Sequence, residues 1–225
     1  MSSAQPVAAE SHAASTAHVA HHFDTREQQF DAARLGMWLF LATEVLFFGG
    51  MFAGYTVYRL LYGEAFAAGS RQLNVTLGAF NTTVLLLSSL MMAMAVHAAQ
   101  TSSRRLVTYI AATGVLGAVF LGVKYFEYEH KFHEHLVPGL SFGTGHYENA
   151  LEPNSELFFS FYFAMTGMHA LHMIIGLGLM VWLVVKARAG AFSPEFYTPV
   201  EMVGLYWHFV DIVWVYLFPM LYLIG

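Results

Sequence analysis

Residues 157–185 read LFFSFYFAMTGMHALHMIIGLGLMVWLVV, without a single Asp, Glu, Lys or Arg. About 20 mostly apolar residues cross roughly 30 Å of hydrocarbon as a helix, so this stretch predicts a membrane span. The same kind of gap recurs outward along the chain. Residues 202–225 carry one charge, Asp211. Residues 106–123 carry none, with Lys124 just beyond. Residues 72–103 carry none, and residues 35–58 carry only Glu44. Backbone groups in lipid must be bonded within their own segment, which requires helix. A barrel would show many alternating segments of about ten residues, and none is present. The reading is an all-α membrane protein, a five-helix transmembrane bundle with helices near 33–60, 73–100, 105–130, 155–187 and 199–224.

Composition agrees. The chain has 225 residues, 57% of them hydrophobic and 11% charged, against roughly 25% charged in a soluble domain. That balance excludes most soluble-enzyme readings, and it excludes intrinsic disorder, which needs low hydrophobicity and high net charge. A net charge of −5 offers no basic surface to nucleic acid. With no cysteine, disulfides, iron–sulfur clusters and thiolate sites are excluded.

Five spans place the termini on opposite sides. Arg26, Arg34, Arg104, Arg105, Lys186 and Arg188 share the N-terminal side, whereas Arg59, Arg71, Lys124 and Lys131 lie on the other. The positive-inside rule then predicts a cytoplasmic N-terminus and an outside C-terminus. Residues 1–32 read as a flexible cytoplasmic tail and 33–225 as the membrane domain. The tail has no apolar core after a basic start, so it is not a cleavable signal. Its His12, His18, His21 and His22 lack a framework for metal, and a solvated tail is the favoured reading. The loop over 127–156 is too long for a simple turn and is expected to be ordered against the bundle or a partner.

Ionisable residues at bilayer depth are functional hypotheses by default, at about 2.5–3.5 kcal/mol each on insertion scales. Glu44 lies in the first span, His169 and His172 in the fourth, and His208 and Asp211 in the fifth. Residues three or four apart share a helix face. His169, His172 and Gly176 therefore form one stripe, His208, Asp211 and Val215 another, and Gly78, Asn81, Leu85 and Ser88 a third. Their depths match, which predicts one buried polar network of Glu44, Asn81, Ser88, His169, His172, His208 and Asp211. His172 is the expected partner of Glu44, with His169 or Thr166 next.

Three roles compete for these residues. Haem or metal ligation is disfavoured because two histidines at i and i+3 point the same way and cannot be opposed axial ligands. A proton or ion pathway lacks the inverted repeats and broken helices of transporters. A structural role, fixing helix register, is favoured, with a proton-related role for Glu44 open. Gly50 and Gly54 form GxxxG, which allows close helix approach. Trp38, Trp182, Trp207 and Trp214 read as interface anchors or packing, and two of the four lie deep enough for packing. In EYEHKFHEH (127–135), His130, His133 and Glu134 can share a face but match neither HExxH nor HxxEH, and solvated mixed charge is preferred.

FLATEVLFFGGMFAGY, LGAFNTTVLLLSSLMMAMAVHAA, LGAVFLGVKYFEYEHKF, FFSFYFAMTGMHALHMIIG and YWHFVDIVWVYLFPMLYLIG occur in that order over residues 33–225. They resemble the five conserved helices of subunit III of the haem–copper cytochrome c oxidases. The fourth carries a Thr-Gly-x-His-x-Leu-His signature and the fifth Tyr-Trp-His-Phe-Val-Asp-x-Val-Trp. The longer members have seven helices, and the first two are missing from this sequence. Where the family has Gln before its Glu-Tyr pair (Glu127, Tyr128), this chain has Lys124.

The resemblance implies a subunit with no cofactor of its own, haem and copper residing in its partners. Those partners would be catalytic subunit I and copper-bearing subunit II, with a small subunit IV as a further neighbour. Cytochrome c would be the electron donor to the complex. The implied role is to steady the catalytic subunit and support proton uptake during O2 reduction to water, in a bacterial inner membrane. Bound phospholipids are expected, with Lys124, Glu127, Tyr128, Lys131 and Trp182 as lipid or outer-surface contacts. Glu44 within TEVLFF favours the cytochrome c type. A quinol oxidase subunit III, a nitric-oxide-reductase accessory protein and a small proton-coupled transporter are the alternatives.

Overall fold

The computed structural model describes residues 23–139, 142–143 and 152–224, and all its regular elements are helices. They are α1 (Arg26–Leu61), α2 (Gly63–Arg71), α3 (Val75–Gln100), α4 (Leu106–His133), α5 (Ser155–Arg188) and α6 (Thr198–Tyr222). All except α2 are long and apolar enough to cross a membrane. The side holding the start of α1 is termed the N-face and the opposite side the C-face.

Helix α1 begins at Arg26, not at 33. Thr25 caps it: the Thr25 hydroxyl accepts from Gln28 N at 3.1 Å, and Gln28 Oε1 accepts from Asp24 N at 2.8 Å. The first bond fills an orphan donor of the opening turn, and the second turns the Gln28 side chain back onto the residue before the cap. Residues 26–32 therefore belong to a helix rather than to a tail, and residues 1–22, with the tail histidines, lie outside the described residues. At the same end, Arg26 pairs with Glu195 at 3.0 Å and Phe30 packs on Tyr197, tying α1 to the α5–α6 connection.

The short helix α2 was not expected from the charge gaps. Its Ala65, Phe66, Gly69 and Ser70 are buried. Phe66 inserts among Tyr55, Phe158 and Phe161, and the Ser70 hydroxyl donates to the Leu221 carbonyl at 2.8 Å. It thus closes the C-face over α1, α5 and α6.

Helix α3 is capped by Asn74, whose side chain accepts from Leu77 N. It runs antiparallel to α6 in a register fixed by polar bonds. Trp214 Nε1 donates to the Thr82 hydroxyl at 3.0 Å, Trp207 Nε1 to the Ser88 hydroxyl at 3.0 Å, and Ser89 bonds His208 Nδ1 at 2.7 Å. Ser88 in turn donates to the Thr113 carbonyl of α4 at 3.2 Å. Trp207 and Trp214 are fully buried, whereas Trp38 and Trp182 are exposed. The Trp207 indole sits between two glycines. A Cβ on Gly117 would lie 2.7 Å from its Cη2, and one on Gly176 would lie 2.6 Å from its Cζ3. Only residues without a side chain admit the ring there. The Gly50/Gly54 pair, by contrast, brings no helix close: Gly50 meets nothing, and Gly54 touches only the Phe161 ring.

Of the long loop, the described part is anchored. Leu136 is buried, Gly143 N donates to the His135 carbonyl, Gly139 N donates to Glu156, and Phe142 packs on Phe159. Residues 140–141 and 144–151 lie outside the described residues.

Candidate functional site

The predicted polar residues fall into several clusters rather than one network. The first joins α1 to α5. His172 Nε2 lies 3.1 Å from Glu44 Oε2, and His172 Nδ1 lies 2.8 Å from the Met168 carbonyl. A carbonyl only accepts, so Nδ1 carries a proton. The Nε2–Oε2 contact then holds one further proton between carboxyl and imidazole, and the pair has no net charge whichever atom bears it. Phe48 packs edge-on against the imidazole and Tyr206 stacks beside it, its hydroxyl donating to the His172 carbonyl. Thr166 takes no part here, since its hydroxyl bonds Tyr128 and the Tyr162 carbonyl.

His169 is one turn away on the same helix but serves different neighbours. Its ring centroid lies 5.4 Å from that of Phe120 and 5.3 Å from that of Trp214. Neither of its nitrogens has a hydrogen-bond partner among the described residues, and the same holds for both polar atoms of Asn81 and of Asp211. His208 bonds Ser89, and Ser88 serves Trp207.

The second cluster lies toward the C-face and departs from expectation. Lys124 and Lys131 are 4% exposed, and both ammonium groups bond within the bundle. Lys124 Nζ donates to Glu127 Oε2 at 2.9 Å and to the hydroxyls of Tyr162 and Tyr222, each at 3.0 Å. The ammonium also lies within 6 Å of the ring centroids of Tyr128, Tyr162, Trp214 and Tyr222, the range of cation–π attraction. Tyr222 donates to the second oxygen of Glu127. Lys131 donates to the Gln72 carbonyl at 2.8 Å and to Glu134 at 2.6 Å, and His130 pairs with the other Glu134 oxygen at 3.1 Å. Both lysines thus satisfy α4 carboxylates and bind neighbouring elements, because a buried ammonium needs a counter-charge and donors filled.

Trp182 does not belong with this group. It lies on α5 about 24 Å from Thr166, taking 1.5 Å per residue, and is exposed near the N-face end. Glu127 is buried and Tyr128 is engaged with Thr166. The sequence carried an unused signal: Lys124, Glu127, Lys131 and Glu134 repeat K-x-x-E at a seven-residue interval, which puts all four on one helix face.

The Glu44–His172 geometry makes a specific expectation. Glu44→Gln keeps a hydrogen bond, because the new amide donates to Nε2 while Nδ1 stays on Met168. It should leave the protein assembled and its complex close to normal in thermal midpoint. Glu44→Leu leaves a buried imidazole nitrogen unpaired, at about 1–3 kcal/mol, and should lower the midpoint by several degrees. Equal midpoints for the two variants would show that the pair does not hold α1.

A model of the family described as cytochrome c oxidase subunit III matches residues 136–225. A protein of Nocardia farcinica named probable cytochrome c oxidase subunit 3 is 33% identical over 194 residues, covering 84% of this chain and 87% of the relative. A quinol oxidase subunit 3 of Bacillus spizizenii is 30% identical over 209 residues, covering 88% and 92%. A haem–copper oxidase subunit I+III of Aeropyrum pernix is 32% identical over 205 residues, covering 86% of this chain and 23% of that longer protein.

Proposed function

Because the chain belongs to the cytochrome c oxidase subunit III family, we propose that it serves an oxidase fed by cytochrome c, in which it steadies the catalytic subunit during turnover and supports proton uptake. Subunit III of a haem–copper oxidase is a multi-pass membrane protein that partners catalytic subunit I. The finer assignments are our reading. The N-face is taken as cytoplasmic in a bacterial inner membrane. Haem and copper sit in subunits I and II, a small subunit IV is a further neighbour, and phospholipids fill the remaining apolar surface. Glu44 within TEVLFF supports the cytochrome c type over the quinol type.

The observation that carries the steadying role is how the buried charge is spent. Glu44 holds α1 to α5, Lys124 holds α4 to α5 and α6, and Lys131 holds α4 to Gln72 beyond α2. Meanwhile α1 is the least buried span and presents Leu35, Leu39, Leu46, Val57 and Leu60 outward. A bundle locked inside and apolar outside suits a rigid wall laid against another membrane subunit. In the Aeropyrum pernix protein the two subunits are named as one chain, which supports subunit I as the neighbour.

The test is to purify the oxidase with and without this chain and to follow O2 consumption. Reduced cytochrome c should drive the complex. The complex lacking the chain should start at a comparable rate and lose activity progressively over turnover. An undiminished rate would overturn the steadying role. Activity with quinol but not with cytochrome c would overturn the donor.

A further inference from the structure

Three side chains in the core have no use in the clusters above. Asn81 of α3, His169 of α5 and Asp211 of α6 are each buried, at 0%, 1% and 3% exposure. All six of their polar atoms lack a hydrogen-bond partner among the described residues. They lie near the level of one side chain, Trp214. His169 packs on its ring at 5.3 Å. Asp211 is three residues before it on α6, and Asn81 directly precedes Thr82, the acceptor of its indole N–H. Phe120 closes the same level from α4, 4.7 Å from the Trp214 ring.

We infer that the bundle core around Trp214 holds ordered water molecules, shared among Asn81, His169 and Asp211. Buried polar groups in native proteins are nearly all hydrogen-bonded, to protein or to ordered water. Orphans scattered singly invite separate explanations, but three from three helices at one indole share a cause. The nearest protein hydroxyls are engaged. Thr82 accepts from Trp214 and donates to the Gly78 carbonyl, and the Ser89 hydroxyl, which lies close enough to act on the Asp211 carboxyl, is bonded to His208 at 2.7 Å instead. The His169 ring is flanked by the rings of Phe120 and Trp214, neither of which offers its nitrogens a hydrogen-bond acceptor or a free donor. A buried water makes about three hydrogen bonds, and a chain of this length carries on the order of eight such waters. Six atoms therefore call for about two waters, well inside that number. The site gives the middle of the bundle a polar, rearrangeable filling between the Lys124 cluster, whose ammonium lies 5.3 Å from the Trp214 ring, and the Ser89–His208 pair.

The test is a structure of the intact oxidase at a resolution that orders water, in the natural protein and in Asp211→Leu and Asn81→Leu. Water density within hydrogen-bond reach of Asp211 and of His169 or Asn81 is expected in the natural protein. Each substitution should remove or displace the peak that its residue holds, while the helices keep their places. A dry core in which the three side chains bond one another or a backbone carbonyl would overturn the inference. So would peaks that survive unchanged in both variants, since those would be held by other groups. If one variant does not assemble, the natural protein and the other variant decide the matter.

Discussion

Lys124→Met will destabilise the bundle by about 3–5 kcal/mol, the range for removing one member of a buried ion pair. The reason is what remains. Glu127 keeps only the Tyr222 hydroxyl, the hydroxyls of Tyr162 and Tyr222 lose an ammonium, and four ring faces lose their cation. Lys124→Gln keeps a donor toward Glu127 and should lose much less. The double variant Lys124→Met/Glu127→Leu removes both charges and should recover most of the loss, giving a large favourable coupling in a double-mutant cycle. Thermal dissociation of the chain from the purified complex measures the natural protein, both Lys124 variants, Glu127→Leu and the double variant. Additive effects, or a Met variant as stable as the Gln variant, would show that the charges are not coupled.

Gly176→Ala will also be damaging, although it adds a single methyl. The new Cβ would lie 2.6 and 2.8 Å from ring atoms of Trp207, and the ring has no retreat: Gly117 lies against its other edge and Ser88 holds its N–H. Overpacking of this kind costs about 1–3 kcal/mol or more, against a gain of up to about 1 kcal/mol from better helix propensity. Trp207→Phe shrinks the ring, so Gly176→Ala should be better tolerated in that background than in the natural one. Expression and thermal midpoint of the four combinations would measure it. A Gly176→Ala protein indistinguishable from the natural one would mean that α5 shifts freely against α6.

The spans were legible because charge is so scarce that its gaps mark them. Their ends were not always: the start of α1 was written in Thr25–Gln28, a capping signal that a search for charge-free stretches passes over. The helix α2 was hidden for the same reason, since Glu64 and Arg71 bracket a segment too short to span but apolar enough to cover a bundle end. Glu44 and His172 could be matched by depth on two helices. Depth alone, however, could not tell that His169, one turn away, faces Phe120 and Trp214 instead. The lysines show the deeper limit. A lysine near the end of a span reads as a reach toward lipid unless its carboxylate three residues on is counted as part of the same unit.

The two ion-pair clusters also differ in when their partners are made. Lys124 has Glu127 on its own helix, three residues on, so the charge enters the membrane already accompanied. Glu44 waits for His172, 128 residues later. At synthesis rates of about 5–20 residues per second, that is roughly 6 to 26 s in which the first span has emerged and its imidazole has not. Throughout that interval the carboxyl must be sheltered by the insertion machinery or kept near the aqueous boundary. The docking of α1 is then a late event of biogenesis, because both helices it packs on, α5 and α6, follow it in the chain.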